Sequence, residues 1–139
     1  MSESMEWSLS SYPPNKDPKL LNPIVLAYIG DAVYEVFIRQ YLISKLNHRP
    51  HHLHKQATQY VSAKAQAKAL TAWLPLLTEE ELDIVKRGRN AKSGSAPKNT
   101  EILTYRHSTA FECLVGYLYY QHQFERLNIL MRMTVAGGE

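Results

Sequence analysis

The chain has 139 residues, 45% of them hydrophobic and 21% charged, with a formal net charge of +3, enough to bury one core but not two. A single cysteine, Cys113, excludes an internal disulfide framework, and the N-terminus carries no secretory pattern. No run of about 18 apolar residues offers a membrane span, so the composition reads as a soluble, cytoplasmic protein with no membrane partner.

Residues 1–19 are polar and contain Pro13, Pro14 and Pro18, which predicts an irregular N-terminal arm followed by one folded domain over 20–136. From Ile24 to Leu46 aliphatic and aromatic residues fill nearly every face without period-two alternation, the pattern of a central, buried helix. His48-Arg49-Pro50 breaks that pattern. A second helix is expected from Leu53 to Leu70, alanine-rich, with Leu53, Ala57, Tyr60 and Val61 at helical spacing, ended or kinked at Pro75. Thr78-Glu79-Glu80-Glu81 has the form of a capping box opening a helix towards Arg89. Asn90 to Thr100, with Ser93, Gly94, Ser95 and Pro97, reads as loop. Leu103 to Tyr120 is helical and apolar on nearly all sides from Ala110 onwards, and an amphipathic helix through Phe124, Leu127, Leu130 and Met131 stops before Gly137-Gly138. No strand pattern or internal repeat competes, so the fold class is all-α, a single helical bundle of five or more helices.

Charge is unevenly placed. Lys86, Arg87, Arg89, Lys92, Lys98 and Arg106 face one acid, Glu101, which makes this stretch the candidate surface for a polyanion. Two acids sit where acids are costly. Asp31 lies within Ile24 to Tyr34, otherwise apolar, with Glu35 one helical turn later on the same face; Glu112 is the only acid between Ser108 and Phe124. Two such carboxylates suit a shared hard divalent cation with oxygen ligands and retained water. Equally, each could pair with a cation such as Arg39 or Arg106, or accept backbone N–H groups, and spacing alone leaves both readings open. His48, His51, His52 and His54 lack the spacing of a zinc site, residues 88–94 contain no phosphate-loop Gly-Lys-Ser/Thr, Cys113 reads as a buried inert thiol, and Tyr117, Tyr119 and Tyr120 read as packing residues.

Leu26-Ala27-Tyr28-Ile29-Gly30-Asp31-Ala32-Val33 resembles the signature of the ribonuclease III family. Ala110 to Tyr119 is similar to the family's second acidic helix, and His54 to Ala69, with its Val61-Ser62 pair, to the intervening helix; the resemblance covers roughly residues 20–133. Lys86-Arg87-Gly88-Arg89-Asn90-Ala91-Lys92-Ser93-Gly94, with Pro97 to Thr100, resembles a motif of the Mini-ribonuclease III branch, which consists of the catalytic domain alone. The resemblance implies a homodimeric endonuclease with Mg²⁺ as cofactor, Mn²⁺ as a substitute, and the signature helix near the dimer interface. It also implies hydrolysis of double-stranded RNA to 5′-phosphate and 3′-hydroxyl ends, the substrate being the precursor of large-subunit ribosomal RNA. With no double-stranded-RNA-binding domain expected, Lys86, Arg87, Arg89, Lys92, Lys98 and Arg106 would hold the duplex. Carried over residue by residue, only Asp31 and Glu112 match the family's catalytic and metal-binding acids, because Ala27 and Thr109 stand where two further acids are usual. Those departures keep a non-catalytic RNA-binding or ribosome-associated domain in play as a rival reading; a second rival is a helical protein-interaction module whose apolar helices simply form a dimer.

Overall fold

The computed structural model describes residues 11–45, 47–91 and 101–136; among them the ordered elements are six α-helices and two 3-10 turns, with no strand. The helices are α1 (Pro23–Ile43), α2 (Pro50–Val61), α3 (Ala63–Trp73), α4 (Glu79–Asn90), α5 (Ile102–Tyr120) and α6 (Phe124–Met133), and the 3-10 turns are Pro18–Leu20 and Leu74–Leu76. Lys92, Lys98, the loop around Gly94 and the Gly137-Gly138 stop lie outside the described residues, as does the first part of the N-terminal arm.

Local chemistry sets the helix starts. The Asn22 side chain accepts the Ile24 N–H at 2.8 Å and Pro23 occupies the first turn of α1, where a missing N–H costs nothing. Thr78 and Glu81 form the reciprocal capping box expected of α4, at 2.9 and 3.1 Å. Two expectations need correcting. Pro50 starts α2 rather than merely interrupting the chain, because proline is preorganised for the first helical position. The single helix expected from Leu53 to Leu70 is two: Ser62 takes an extended ψ of 156° and its hydroxyl caps α3 by accepting the Ala65 N–H at 3.2 Å. A serine offers the backbone this alternative partner, and alanine periodicity on either side does not register the break.

α5 is the axis of the bundle. It is buried continuously from Ser108 to Tyr119 except at Glu112, and α1, α3 and α4 pack around it. Tyr34 meets Phe111 edge-on at 4.8 Å between centroids, Trp73 stacks on Phe111 at 4.6 Å, and the Trp73 indole N–H donates to the Leu130 carbonyl at 2.9 Å, joining α3 to α6. The central, fully buried role expected of α1 therefore falls to α5. α1 buries one face, Leu26, Ala27, Gly30, Tyr34, Ile38 and Leu42, and leaves Val25, Tyr28 and Val36 exposed on the other, Tyr28 at 83%. Apolar periodicity reports which residues avoid water, not whether the same chain covers them.

Candidate active site

The placement of Asp31 begins with two glycines. α1 and α5 cross so closely that a Cβ on Gly30 would lie 1.9 Å from the Glu112 carbonyl oxygen, and one on Gly116 would lie 2.0 Å from the Leu26 carbonyl oxygen. Such contact is possible only without side chains at those positions. The crossing brings the residue after Gly30 near the side chain of Glu112, close enough for the Asp31 carboxyl to raise that of Glu112.

Asp31 itself is exposed and Glu112 half-buried, so the pair meets solvent on the Asp31 side rather than lying sealed in the core, where the apolar sequence around each acid had placed it. Burial pushes the Glu112 carboxyl up to about 8, reinforced by the nearby Asp31 carboxyl and opposed by the Gln66 hydrogen bond, with a lesser upward push from the charge of Glu35. Among the described residues no cation neutralises the pair. Arg39 turns instead to Glu35, at 3.4 Å with its side chain 73% exposed, and Arg106 pairs with neither acid. Two carboxyl groups brought together without a counter-ion among the described residues form an oxygen donor set suited to a hard divalent cation, whose charge would favour ionisation of both. Among the described residues no three His, Cys, Asp or Glu side chains gather as a ligand group, so a metal here would be held by two carboxylates and water. Ala27 and Thr109 are buried, and the Thr109 hydroxyl donates to the Tyr105 carbonyl at 3.1 Å, so neither adds a ligand.

The cations divide by role. Lys86 and Arg106 are exposed and Arg89 half-exposed. Arg87 is partly committed: its guanidinium donates to the carbonyls of Lys19 and Leu21 at 2.9 and 3.1 Å, pinning the N-terminal 3-10 turn to α4. A concavity of about 720 Å³ beside it is lined by Lys19, Glu79, Glu80, Asp83, Lys86 and Tyr117 among others, and contains neither Asp31 nor Glu112.

Gln66 and Ser108 escaped the sequence reading. The Gln66 amide donates to Glu112 Oε2 at 3.4 Å and accepts from Ser108 Oγ at 2.7 Å, with Gln66 only 1% exposed. Their signal was present, since Gln66, Leu70 and Trp73 form the buried stripe of α3, and a glutamine on such a stripe must find a partner. Cys113 is buried as expected, burial pushing its thiol up to about 12.

Comparison with known proteins agrees with this geometry. The Ribonuclease III domain family matches residues 24–123, which include both acids. Mini-ribonuclease 3 of Brevibacillus brevis is 54% identical over 121 residues, spanning 87% of this chain and 90% of that protein. Mini-ribonuclease 3 of Streptococcus pneumoniae is 49% identical over 125 residues, spanning 88% and 98%. The crystal structure of a Fusobacterium nucleatum protein superposes with a TM-score of 0.82 at 27% identity, covering 90% of this chain and all of that one. With an all-helical fold, a glycine-enabled helix crossing and a convergent pair of carboxylates, the chain belongs to the ribonuclease III family, in its Mini-ribonuclease 3 branch, and is an endoribonuclease.

Proposed function

We propose that the chain is a Mg²⁺-dependent, homodimeric endonuclease of double-stranded RNA, with Mn²⁺ able to substitute. It leaves 5′-phosphate and 3′-hydroxyl ends and acts in the cytoplasm on the precursor of large-subunit ribosomal RNA. The observation that carries the proposal is the Asp31–Glu112 pair, two carboxyl groups brought close by the helix crossing, Asp31 open to solvent, with no cation paired to them among the described residues. These two side chains would hold the metal. When bound, Mg²⁺ supplies positive charge to a phosphate in its transition state and renders a coordinated water acidic at neutral pH. Asp31, exposed on α1, faces incoming RNA, while Glu112 is held from behind by α3 and α5.

The duplex is held through its phosphates and 2′-hydroxyls by Lys86, Arg89 and Arg106, with Lys92 and Lys98 on the adjoining segment. Arg87 adds charge from an anchored position. The dimer reading rests on the outer face of α1. There Ala32, Val33, Val36 and Phe37, with Tyr119, Phe124, Leu127 and Met131, line a shallow, largely apolar depression of about 580 Å³. A second copy would cover it and supply a second site for the second strand.

The decisive test is cleavage of a labelled RNA duplex with Mg²⁺ and with EDTA, using Asp31→Asn and Glu112→Gln variants confirmed as folded. Cleavage should require the metal and fall by roughly 100-fold or more in each variant, as expected when transition-state charge stabilisation is lost. Wild-type rates in either variant would reject the assignment, and RNA binding without metal-dependent cleavage would favour the non-catalytic reading.

A further inference from the structure

Gln66 is the least expected polar residue of the core. It lies on α3, 1% exposed, on a face otherwise occupied by Leu70 and Trp73, where an unpaired amide would lose its hydration without compensation. Both ends of the amide are used, and both reach α5. Oε1 accepts the Ser108 hydroxyl at 2.7 Å and Nε2 donates to Glu112 Oε2 at 3.4 Å. Ser108 and Glu112 stand one turn apart on that helix, so a single amide spans two successive turns of α5. The Ser108 hydroxyl donates to the amide carbonyl, which leaves the NH₂ end for Glu112, the direction that suits a carboxylate ionised by a bound cation. The break at Ser62, whose hydroxyl caps α3, stands one turn ahead of Gln66.

We propose that Gln66, held by Ser108, is a positioning residue that fixes the Glu112 carboxylate for metal binding. The proposal rests on the reading of Asp31 and Glu112 as metal ligands. A carboxylate offers about four lone-pair sites on two oxygens, so one hydrogen bond at Oε2 leaves capacity for a cation while restraining rotation of the group. The need is acute because, among the described residues, Asp31 and Glu112 are the two acids that match the family's ligands: with Ala27 and Thr109 in place of further acids, a misdirected Glu112 leaves Asp31 without its partner. Groups that hydrogen-bond to metal ligands typically contribute 10- to 100-fold to metal affinity.

The test compares full-length wild type, Gln66→Met, which keeps the volume and removes both hydrogen bonds, and Ser108→Ala, a smaller lesion that frees only the anchor. Mn²⁺ binding without RNA is measured by electron paramagnetic resonance, unfolding temperature is measured in EDTA, and cleavage is titrated with Mg²⁺. For Gln66→Met, Mn²⁺ affinity should fall about 10-fold or more, half-maximal Mg²⁺ should rise by a similar factor, KM for the duplex should stay within about twofold, and kcat should recover at saturating Mg²⁺. Ser108→Ala should shift the same quantities in the same direction by a smaller factor, and it decides the matter if Gln66→Met does not fold. Variants that lose thermal stability in EDTA yet bind Mn²⁺ as wild type does would show a purely structural amide and overturn the proposal. Failure of the underlying reading is separately visible, because wild type itself would then bind no Mn²⁺ or would cut RNA in EDTA.

Discussion

Glu112 shows how a single half-buried carboxyl can oppose folding. Its carboxyl is raised from 4.5 to about 8 by burial and by Asp31, so ionising it costs more in the folded chain than in the unfolded one. The favourable contribution is complete below pH 4.5 and is lost as pH rises towards 8. Glu112→Gln should therefore unfold at a higher temperature than wild type in EDTA at pH 8, by roughly 2 kcal/mol once partial solvent access is allowed for, with the gap closing near pH 4. Saturating Mn²⁺ should reverse the order, since wild type alone retains both ligands. Thermal melts across pH, with and without metal, check both; a variant no more stable than wild type at pH 8 in EDTA would mean that the two acids are not in electrostatic conflict. Asp31 and Glu112 were legible as misplaced acids because each stands alone in an apolar run. Gln66 was not, because a neutral amide among alanines breaks no visible pattern until its helix face is known.

Helix crossings and caps carry the next level. Gly30→Ala would place a methyl group within 1.9 Å of the Glu112 carbonyl, forcing α1 and α5 apart. We expect destabilisation of about 3 kcal/mol or more and a disproportionate loss of cleavage, because the same displacement separates the two carboxylates. Denaturant melts together with single-turnover rates measure the two effects; a stable, fully active Gly30→Ala would refute the close crossing. Glu81 closes the capping box and also pairs with Arg126 on α6 in a two-pronged contact at 2.8 and 2.9 Å, with Arg126 donating further to the Leu76 carbonyl. Burial raises the Glu81 carboxyl, but the hydrogen bonds from Arg126 and Thr78 outweigh it and the net shift is downward from 4.5. Stability from this contact is therefore present above about pH 4.5 and lost as pH falls through the lowered value. Glu81→Gln should cost about 1–3 kcal/mol at pH 7 and progressively less below pH 4, read from denaturant melts at each pH. The capping box was legible from Thr78 and Glu81; the tie to Arg126 was not, since it joins residues 45 apart.

For the whole molecule, the exposed apolar face of α1 and the basic stretch make separate predictions. On the proposed dimer, Val36→Glu, at a position 42% exposed, should leave the monomer folded while shifting light-scattering mass from dimer towards monomer, because a desolvated carboxylate is costly at an apolar interface. An unchanged dimer would place the interface elsewhere. Replacing Lys86, Arg89 and Arg106 by Gln should weaken duplex binding and flatten its salt dependence by roughly two to three in the log–log slope, whereas Arg87→Gln should also lower stability through the lost hold on Lys19 and Leu21. Salt titrations of binding and thermal melts separate these outcomes.

Taken alone, the sequence determined the all-helical class, the start of α4, the loneliness of Asp31 and Glu112, and the clustering of charge from Lys86 to Arg106. Each of these is written in neighbouring residues or in helical spacing. Only the tertiary structure decided that α5 rather than α1 is the axis, that Ser62 divides a helix, and that Gln66 reaches Glu112. It also decided that Arg87 is anchored to the N-terminal turn. These depend on contacts between distant parts of the chain, above all the Gly30–Gly116 crossing, where the absence of two side chains brings two acids together.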